Sequence, residues 1–465
     1  MSEEMIKEEG KPVANKMGTE PVDKVLLSMG IPMILSMVLQ ACYNIVDSMF
    51  VARISDYDGI EHAGEYAMNA LTLAFPVQML IVAFAIGTGV GVNALLARTL
   101  GAKDVKKVAR VAGNGIFLGL VIYAFFFVFG LVGIDAYLMS QKSDPVTLSM
   151  GHTYLKICTL LCLGNVMFAI YEKLLQSTGK SVFSTTAQIA GAVTNIVLDP
   201  IFIFGWFGLP EMRIAGAAWA TVIGQFVSML VAGGLHHTKN QEVVFHMKYL
   251  KPSGRIIKEI YQIGLPAIIM QALMSFMTYG INIIFKNVSS GAVTAYGIFY
   301  KIQQFLFFAG FGLRDAITPI VSFNYGMREK KRVRQGIKYG FLYTEIIMLA
   351  GIIILEIFAE PFVGFFHLTE DTAKMCVWAI RIISPGFLFA GGNIAFQGVF
   401  QALECGLGSL VVSLLRLLIV VLPLAWWFTT FANAKFMIWF AFPIAEGAAF
   451  AAAVLFLLPL WRKMQ

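Results

Sequence analysis

The sequence predicts an all-α membrane protein with twelve transmembrane helices, arranged as two six-helix lobes related by a pseudo-two-fold axis along the membrane normal. Two observations predict it. Apolar residues make up 58% of the 465 positions and charged residues only 14%, whereas a soluble domain is nearer half apolar and a quarter charged. In addition, features of the first half of the chain recur in the second half in the same order, which indicates an internal repeat.

The apolar residues cluster into twelve runs of about 19–28 residues, and roughly 20 residues of helix cross a bilayer core. Buried helices of a large soluble protein do not supply twelve such runs. We number the predicted spans 1 to 12 in chain order: Val25–Ala52, Ala67–Thr88, Val108–Ile134, Tyr154–Leu175, Thr186–Phe204, Ile214–Leu235, Ile260–Phe285, Thr294–Thr318, Ile337–Phe358, Met375–Phe400, Leu407–Phe428 and Phe436–Leu458.

The basic residues predict the orientation of the spans. With both termini in the cytoplasm, 24 Lys and Arg residues fall on the cytoplasmic side and seven on the other, as the positive-inside rule requires. The net charge of +7 is therefore a topology signal, and we expect no nucleic-acid partner. The polar segment 1–23 is expected to be a cytoplasmic tail without a cleavable signal peptide.

The repeat divides the chain into an N-lobe (24–235, spans 1–6), a cytoplasmic linker (236–259) and a C-lobe (260–465, spans 7–12). Because six spans is an even number, both lobes insert with the same orientation, and a cavity between them suits alternating access. The matched features are Gly30-Ile31-Pro32 with Gly264-Leu265-Pro266, the basic loops after Gly101 and Gly326, Gln176 with Gln401, and Gly216-Ala217-Ala218 with Gly447-Ala448-Ala449.

Four polar residues of the N-lobe are predicted to form a site for a coupling ion. Asp47 ends a polar stripe on one face of span 1, Asn195 and Asp199 lie one turn apart in span 5, and Thr221 lies in span 6. Ionisable groups inside spans are costly, so they are functional candidates. Two nearby carboxylates raise each other's cost of ionising, and a proton or a hard cation such as Na⁺ relieves it. The alternative is that each Asp pairs with a basic residue or caps a helix end.

Further polar residues within spans predict the lining of a substrate cavity. In the second lobe we expect most charges to pair with one another structurally, and Lys301 is the exception, since Gln303 and Gln304 lie beside it in an apolar span. Pro32 is a candidate hinge because it removes one helix hydrogen bond, although many membrane helices carry inert prolines. The predicted cavity residues are Gln40, Asn44, Gln176, Gln271, Thr278, Asn282, Lys301, Asn393 and Gln397.

At these residues the chain resembles the multidrug and toxic compound extrusion (MATE) family, and is similar to its DinF-like and MepA-like bacterial members. The resemblance rests on Tyr43-Asn44-Ile45-Val46-Asp47 in span 1, Asn195-Ile196-Val197-Leu198-Asp199-Pro200 in span 5, the Gln176-Ser177-Thr178-Gly179-Lys180 turn, Gly216–Thr221 in span 6 and Ser322–Gly326 after span 8.

The resemblance implies antiport of amphipathic organic cations against H⁺ or Na⁺, with an N-lobe ion site at Asp47, Asn195, Asp199 and Thr221 and a bending proline at Pro32. It also implies a multi-pass protein of the bacterial cytoplasmic membrane. We expect a monomer whose partners are small organic molecules and membrane lipid, with no cofactor besides the coupling ion. The acidic residues that NorM-type members carry in spans 7 and 10 have no counterpart here, where Gln271 and Asn393 are the nearby polar groups.

The sequence also bears on three other classes of protein. A major facilitator would carry an Asp-Arg and a Gly-Arg-Arg in the loop after span 2, and Gly101–Lys107 lacks them. A membrane-embedded enzyme would need a nucleophile or metal motif, and neither HExxH nor GxSxG is present. A lipid-linked oligosaccharide flippase, or another lipid flippase of the same wider superfamily, remains the alternative; a more cationic cavity would be expected of it.

Overall fold

The computed structural model describes residues 15–57, 59–141, 143–243, 247–364, 366 and 368–463. Within these residues the secondary structure is helical, apart from one isolated bridge between Tyr57 and Ile60. Most of the predicted tail (1–14), and part of the predicted linker (244–246), lie outside the described residues.

Twelve spans are present if one bent helix pair is taken as a single span, which confirms the predicted fold class. Eleven helices of the described residues are long and apolar enough to cross a membrane, and the bent pair forms span 4. The spans are Val22–Val51, Ala63–Gly101, Val105–Val132, Pro145–Leu160 with Leu163–Ser177, Ser181–Ile203, Arg213–Lys239, Gly254–Lys286, Ser290–Gly326, Lys330–Gly364, Glu370–Ala402, Gly406–Phe428 and Ala434–Arg462.

Four spans are irregular where the apolar pattern predicted continuous helices, among them span 12, which contains a 3₁₀ turn at Ile438–Phe440. Span 4 bends by 45° between its two helices, span 10 contains a 3₁₀ turn at Ser384–Gly386, and span 11 contains a π turn at Leu415–Ile419. Pro385 accounts for the turn in span 10 because proline cannot donate the helix hydrogen bond. Hydropathy measures only how apolar a run is, so it does not detect such breaks.

The helices also extend beyond the predicted apolar runs and into the predicted linker. The helix of span 6 continues to Lys239, a 3₁₀ turn forms at Met247–Leu250, and the helix of span 7 begins at Gly254. Much of the range 236–259 is therefore helical. A transmembrane helix needs no apolar residues where its ends project past the hydrocarbon core, and the sequence pattern marks only that core.

The chain divides into two compact units, and the division falls inside spans 1 and 7. Unit 1 contains Leu35–Gly264, and unit 2 contains residues 15–34 and 265–463. The first part of span 1 therefore belongs to unit 2, and the first part of span 7 to unit 1. The predicted lobes began at 24 and 260. Each division lies within three residues of a proline inside the helix, Pro32 or Pro266.

The segment that leads into span 1 is bound to the basic loop of unit 2. The Arg332 guanidinium donates to the backbone carbonyls of Met17 and Glu20 at 2.9 and 2.6 Å. The Asn324 side chain donates to the same Met17 carbonyl at 3.0 Å. These bonds tie the segment before span 1 to the turn that connects spans 8 and 9.

The segment that leads into span 7 is bound to the repeat-related loop of unit 1. Lys107 Nζ forms an ion pair with Glu259 at 2.6 Å, and the Ser253 amide donates to Asn114 Oδ1 at 2.8 Å. Lys107 and Arg332 occupy the same place in the two basic loops, six residues after Gly101 and Gly326. The internal repeat is thus reflected in equivalent contacts.

Spans 5 and 6 pack closely because small residues face each other. A Cβ on Gly191 would lie 2.6 Å from the Gly224 carbonyl oxygen and 1.8 Å from Ser228 Oγ. A Cβ on Gly224 would lie 3.0 Å from the Asn195 Cβ. Only glycine permits this approach, and the contact lies one turn from Asn195.

We predict that Gly191→Ala destabilises the protein, because the added methyl group meets the Gly224 backbone. Forced overpacking costs about 1–3 kcal/mol, so the thermal unfolding midpoint in detergent should fall. Gly234→Ala in span 6 is the matched control, since a Cβ there meets nothing within 4 Å. Equal midpoints for the two variants would show that the two helices do not pack as described.

Candidate functional site

The four residues of the predicted ion site lie together in unit 1. Asn195 and Asp199 are 3% and 0% exposed on the buried face of span 5. The Asn195 amide Nδ2 donates to Asp199 Oδ1 at 3.3 Å and reaches Thr221 Oγ1 at 3.5 Å. The single amide therefore links the carboxyl group of span 5 to the hydroxyl group of span 6.

The Asp47 carboxyl group completes the cluster from span 1. It lies within hydrogen-bonding reach of the Asp199 carboxyl group. Among the described residues, no basic side chain forms an ion pair with either group. Asp199 lies inside the helix Ser181–Ile203 rather than at its N-terminus. The alternative left open by the sequence was that each Asp pairs with a basic residue or caps a helix end. Within the described residues, the structure shows no basic partner for Asp47 or Asp199 and no N-terminal cap formed by Asp199.

Three oxygen atoms of the cluster are buried without a hydrogen-bond partner among the described residues: Asp47 Oδ1, Asp199 Oδ2 and Asn195 Oδ1. An unpartnered buried oxygen costs free energy unless a donor or a cation binds it. Carboxylate and amide oxygens are donors that hard cations accept, and two carboxyl groups in contact can share a proton. The donor set suits either Na⁺ or H⁺.

Sequence reasoning missed two residues beside the carboxyl pair and noted a third only in passing. Tyr43, one turn before Asp47, interacts electrostatically with both carboxyl groups, and Tyr154 interacts with Asp47. Gln78 Nε2 donates to the Tyr154 hydroxyl at 3.2 Å. Tyr43 could have been predicted from the sequence, because it lies four residues before Asp47 and therefore on the same face of the helix. Tyr154 and Gln78 could not have been predicted, because only the fold brings spans 2 and 4 close to the carboxyl pair.

Three of the predicted cavity residues are buried, and each is hydrogen-bonded to residues of its own unit. Gln176, 2% exposed, accepts from Lys173 Nζ at 2.9 Å and donates to Glu172 at 3.1 Å. Gln397 donates to Ser413 Oγ at 2.9 Å. Asn393 donates to the Glu446 carboxylate at 2.8 Å.

The other predicted residues are more accessible, and their role in substrate binding remains a prediction. Asn44 and Lys301 are exposed, and Lys301 belongs to unit 2. The cavity residues of intermediate exposure are Gln40, Gln271, Thr278 and Asn282; the hinge candidate Pro32 and the ion-site residue Thr221 are also of intermediate exposure.

Most charged residues of the C-lobe spans pair with a neighbour, as predicted. Arg416 donates to Glu446 Oε1 through two nitrogens, at 2.9 and 2.6 Å. Arg314 forms an equivalent pair with the adjacent Asp315 at 3.0 and 2.8 Å. Glu345 differs, because its Oε1 atom is buried and has no hydrogen-bond partner within the described parts of the chain.

Comparison with known proteins identifies the family. The MatE family model matches residues 32–201 and 266–427, which is more than half of the chain. The chain belongs to the MatE family. Its curated relatives include the multidrug export protein MepA of Staphylococcus aureus (strain MSSA476), 26% identical over 94% of this chain and 93% of that protein. MepA of Staphylococcus saprophyticus is 24% identical over 93% of each.

Solved structures share the fold of this MatE protein. The crystal structure of MATE in complex with MaL6 has a TM-score of 0.89 at 23% identity and covers 97% of this chain and 98% of that one. A multidrug resistance MATE family transporter of the MOP superfamily in an outward-facing conformation has a TM-score of 0.90 at 22% identity, with 98% and 99% covered. The predicted family and fold are confirmed, and the chain is a multi-pass membrane protein of a family that includes multidrug export proteins.

We predict that Asp199→Asn makes thermal stability independent of the bound cation. The new amide can accept from Asn195 and donate to Asp47, so the carboxyl repulsion disappears and the midpoint in detergent should rise by about 2 °C or more. Wild-type protein should gain stability from Na⁺ or from acidification, since a ligand of the folded state stabilises it. Asp199→Asn should gain from neither.

The control is Glu211→Gln, whose side chain is half exposed beside Arg213 and which should behave as wild type. A wild-type midpoint that responds to neither cation, or an Asp199→Asn variant that responds as wild type does, would contradict the assignment.

Proposed function

We propose that this protein is a secondary active multidrug exporter of the bacterial cytoplasmic membrane, which exchanges amphipathic organic cations for H⁺ or Na⁺. The carboxyl pair of Asp47 and Asp199 supports the proposal most directly. Two acidic groups in contact, without a basic partner among the described residues, have a strong affinity for a cation. The names of the MepA relatives, which describe multidrug export, support the class of substrate.

We further propose that the cation site consists of Asp47, Asn195, Asp199 and Thr221. Thr221 and Asn195 position the Asp199 carboxylate, and Asp47 provides the second charge. When the cation leaves, the two carboxylates repel each other. An ion shifts a conformational equilibrium only if its interaction free energy differs between the two conformations. The repulsion between the carboxylates can provide such a difference. We also propose that the predicted cavity residues bind the substrate and that both termini lie in the cytoplasm.

Pro32 is the proposed bending point of span 1. It lies 15 residues before Asp47 in the same helix and within three residues of the division between units 1 and 2. Similar solved structures include MATE in a straight and in a bent conformation. In this chain the missing hydrogen bond at Pro32 lowers the cost of bending.

We predict that Asp47→Asn and Asp199→Asn each reduce ion-driven transport of an organic cation at least about tenfold, since neutralising one carboxyl removes the charge that binds the ion. Ethidium movement in proteoliposomes, with the H⁺ and Na⁺ gradients collapsed in turn, measures the effect. Asp135→Asn is the matched control because its side chain is 67% exposed beside His152.

If both carboxyl variants transport ethidium as well as Asp135→Asn does, the ion site is wrong. If wild-type protein moves no organic cation but translocates a fluorescent lipid, the flippase alternative is favoured.

We predict that Pro32→Ala slows ethidium transport several-fold without removing the stabilisation by the coupling ion. Alanine restores the backbone donor and stiffens the helix, whereas the carboxyl pair is unchanged. Pro76→Ala in span 2 is the control, because this proline also lies inside a transmembrane helix. Transport by Pro32→Ala at the wild-type rate would exclude the hinge.

A further inference from the structure

The segment that follows span 6 lies along the first turns of span 3. The Ser253 amide donates to Asn114 Oδ1 at 2.8 Å, and Lys107 Nζ pairs with the Glu259 carboxylate at 2.6 Å. All four residues belong to unit 1. Residues 253–259 therefore run back along span 3, from Asn114 to Lys107.

A glycine of span 3 lets the same segment approach the helix closely. A Cβ on Gly113 would lie 2.2 Å from the Tyr249 carbonyl oxygen, so the two backbones are in contact. Tyr249 belongs to the 3₁₀ turn Met247–Leu250, and its side chain is 7% exposed. The segment from 249 to 259 is thus held against span 3 at both of its ends.

This contact joins two sets of basic residues that are far apart in the sequence. Lys106 and Arg110 lie in the first two turns of span 3, and Lys251, Arg255 and Lys258 lie at the start of span 7. The side chains of all five residues are exposed. We call these five residues the basic surface.

The acidic residues nearby do not balance this charge. Residues 101–114 and 249–259 contain seven basic and two acidic residues. One of the acidic residues, Glu259, is already shared between Lys107 and Arg255, at 2.6 and 3.5 Å. The other, Asp104, accepts from the Lys107 backbone amide at 3.0 Å and so caps the helix of span 3. The basic surface therefore keeps a large positive charge.

The basic surface lies at the ends of two membrane spans. The helices of spans 3 and 7 are 28 and 33 residues long, and roughly 20 residues cross the hydrocarbon core. Their first turns therefore reach the level of the lipid headgroups. Further along span 3, Leu120 and Val121 are 43% and 46% exposed. A phospholipid beside this helix meets basic side chains at its headgroup and apolar side chains along its acyl chains.

From this arrangement we infer that the basic surface binds the headgroup of an anionic phospholipid such as phosphatidylglycerol. Lysine and arginine donate charge-assisted hydrogen bonds to phosphate oxygens, and basic clusters at the ends of spans attract anionic lipids. Phosphatidylcholine adds a positive charge to its phosphate, so it has no net charge to attract. The inference goes beyond the proposed exchange and holds whichever cation drives it.

Native mass spectrometry of the purified full-length protein tests the inference, with phosphatidylglycerol and phosphatidylcholine of the same acyl chains as ligands. The test variant combines Arg110→Gln, Lys251→Gln and Lys258→Gln. Its Kd for phosphatidylglycerol should be at least about tenfold higher than that of wild type, because three charges of the surface are lost. Its weaker affinity for phosphatidylcholine should not change.

The matched control removes three exposed basic residues at the opposite membrane surface, by Arg53→Gln, Lys286→Gln and Lys374→Gln. Lys286 ends the helix of span 7, Arg53 follows the end of span 1, and the Lys374 side chain is 60% exposed near the start of span 10. The net charge changes by the same amount as in the test variant. The control should bind phosphatidylglycerol as wild type does.

Asp104→Asn provides a variant that should gain affinity, a result that misfolding does not produce. Asparagine also caps helices, so the start of span 3 is preserved while a negative charge is removed. Its Kd for phosphatidylglycerol should fall several-fold. Equal Kd values for wild type and the triple test variant, or equal Kd values of wild type for the two lipids, would overturn the inference. Displacement of the lipid by an equal concentration of inorganic phosphate would also overturn it, since the surface would then recognise free phosphate.

Discussion

The proposed site depends on one interaction, between two carboxyl groups of unit 1 that lie within hydrogen-bonding reach of each other and have no basic partner among the described residues. Two unit charges 4 Å apart interact by about 4 kcal/mol at an effective dielectric constant of about 20. The surrounding residues reduce this repulsion little. Asn195 donates to one oxygen of the pair, and three oxygens of the cluster have no hydrogen-bond partner in the described parts of the chain. The chemistry of the site therefore favours the binding of a cation, as we propose.

The helices beside the pair are closely packed. Gly191 and Gly224 bring spans 5 and 6 into backbone contact beside Asn195, and the bonds of Asn195 then connect both spans. Span 1 is the exception. Its start is tied to unit 2 by Arg332, whereas Asp47 belongs to unit 1. A change in charge at Asp47 therefore acts on a helix that joins the two units.

Composition and spacing predicted the number of spans, the repeat and the proximity of the four residues of the proposed ion site, because hydropathy, helical periodicity and depth in the membrane are local properties of a sequence. Tyr154 and Gln78 were not predicted, since their contact depends on how spans 2 and 4 pack. The bend in span 4 and the π turn in span 11 were not predicted for a related reason. The hydropathy of an apolar run is the same whether its helix is continuous or broken. Gln176 was predicted to line a cavity, and the structure shows that it is hydrogen-bonded to Lys173 and Glu172, partners that sequence spacing does not reveal.

The central claim is that Asp47 and Asp199 bind the coupling cation as a pair. Infrared difference spectroscopy of the protein in lipid tests it most directly, because adding Na⁺ or acid changes the carboxyl vibrations of the groups that respond. We predict a carboxyl difference signal in wild type that disappears in Asp47→Asn and in Asp199→Asn alike. A signal that persists unchanged in both variants would contradict the account.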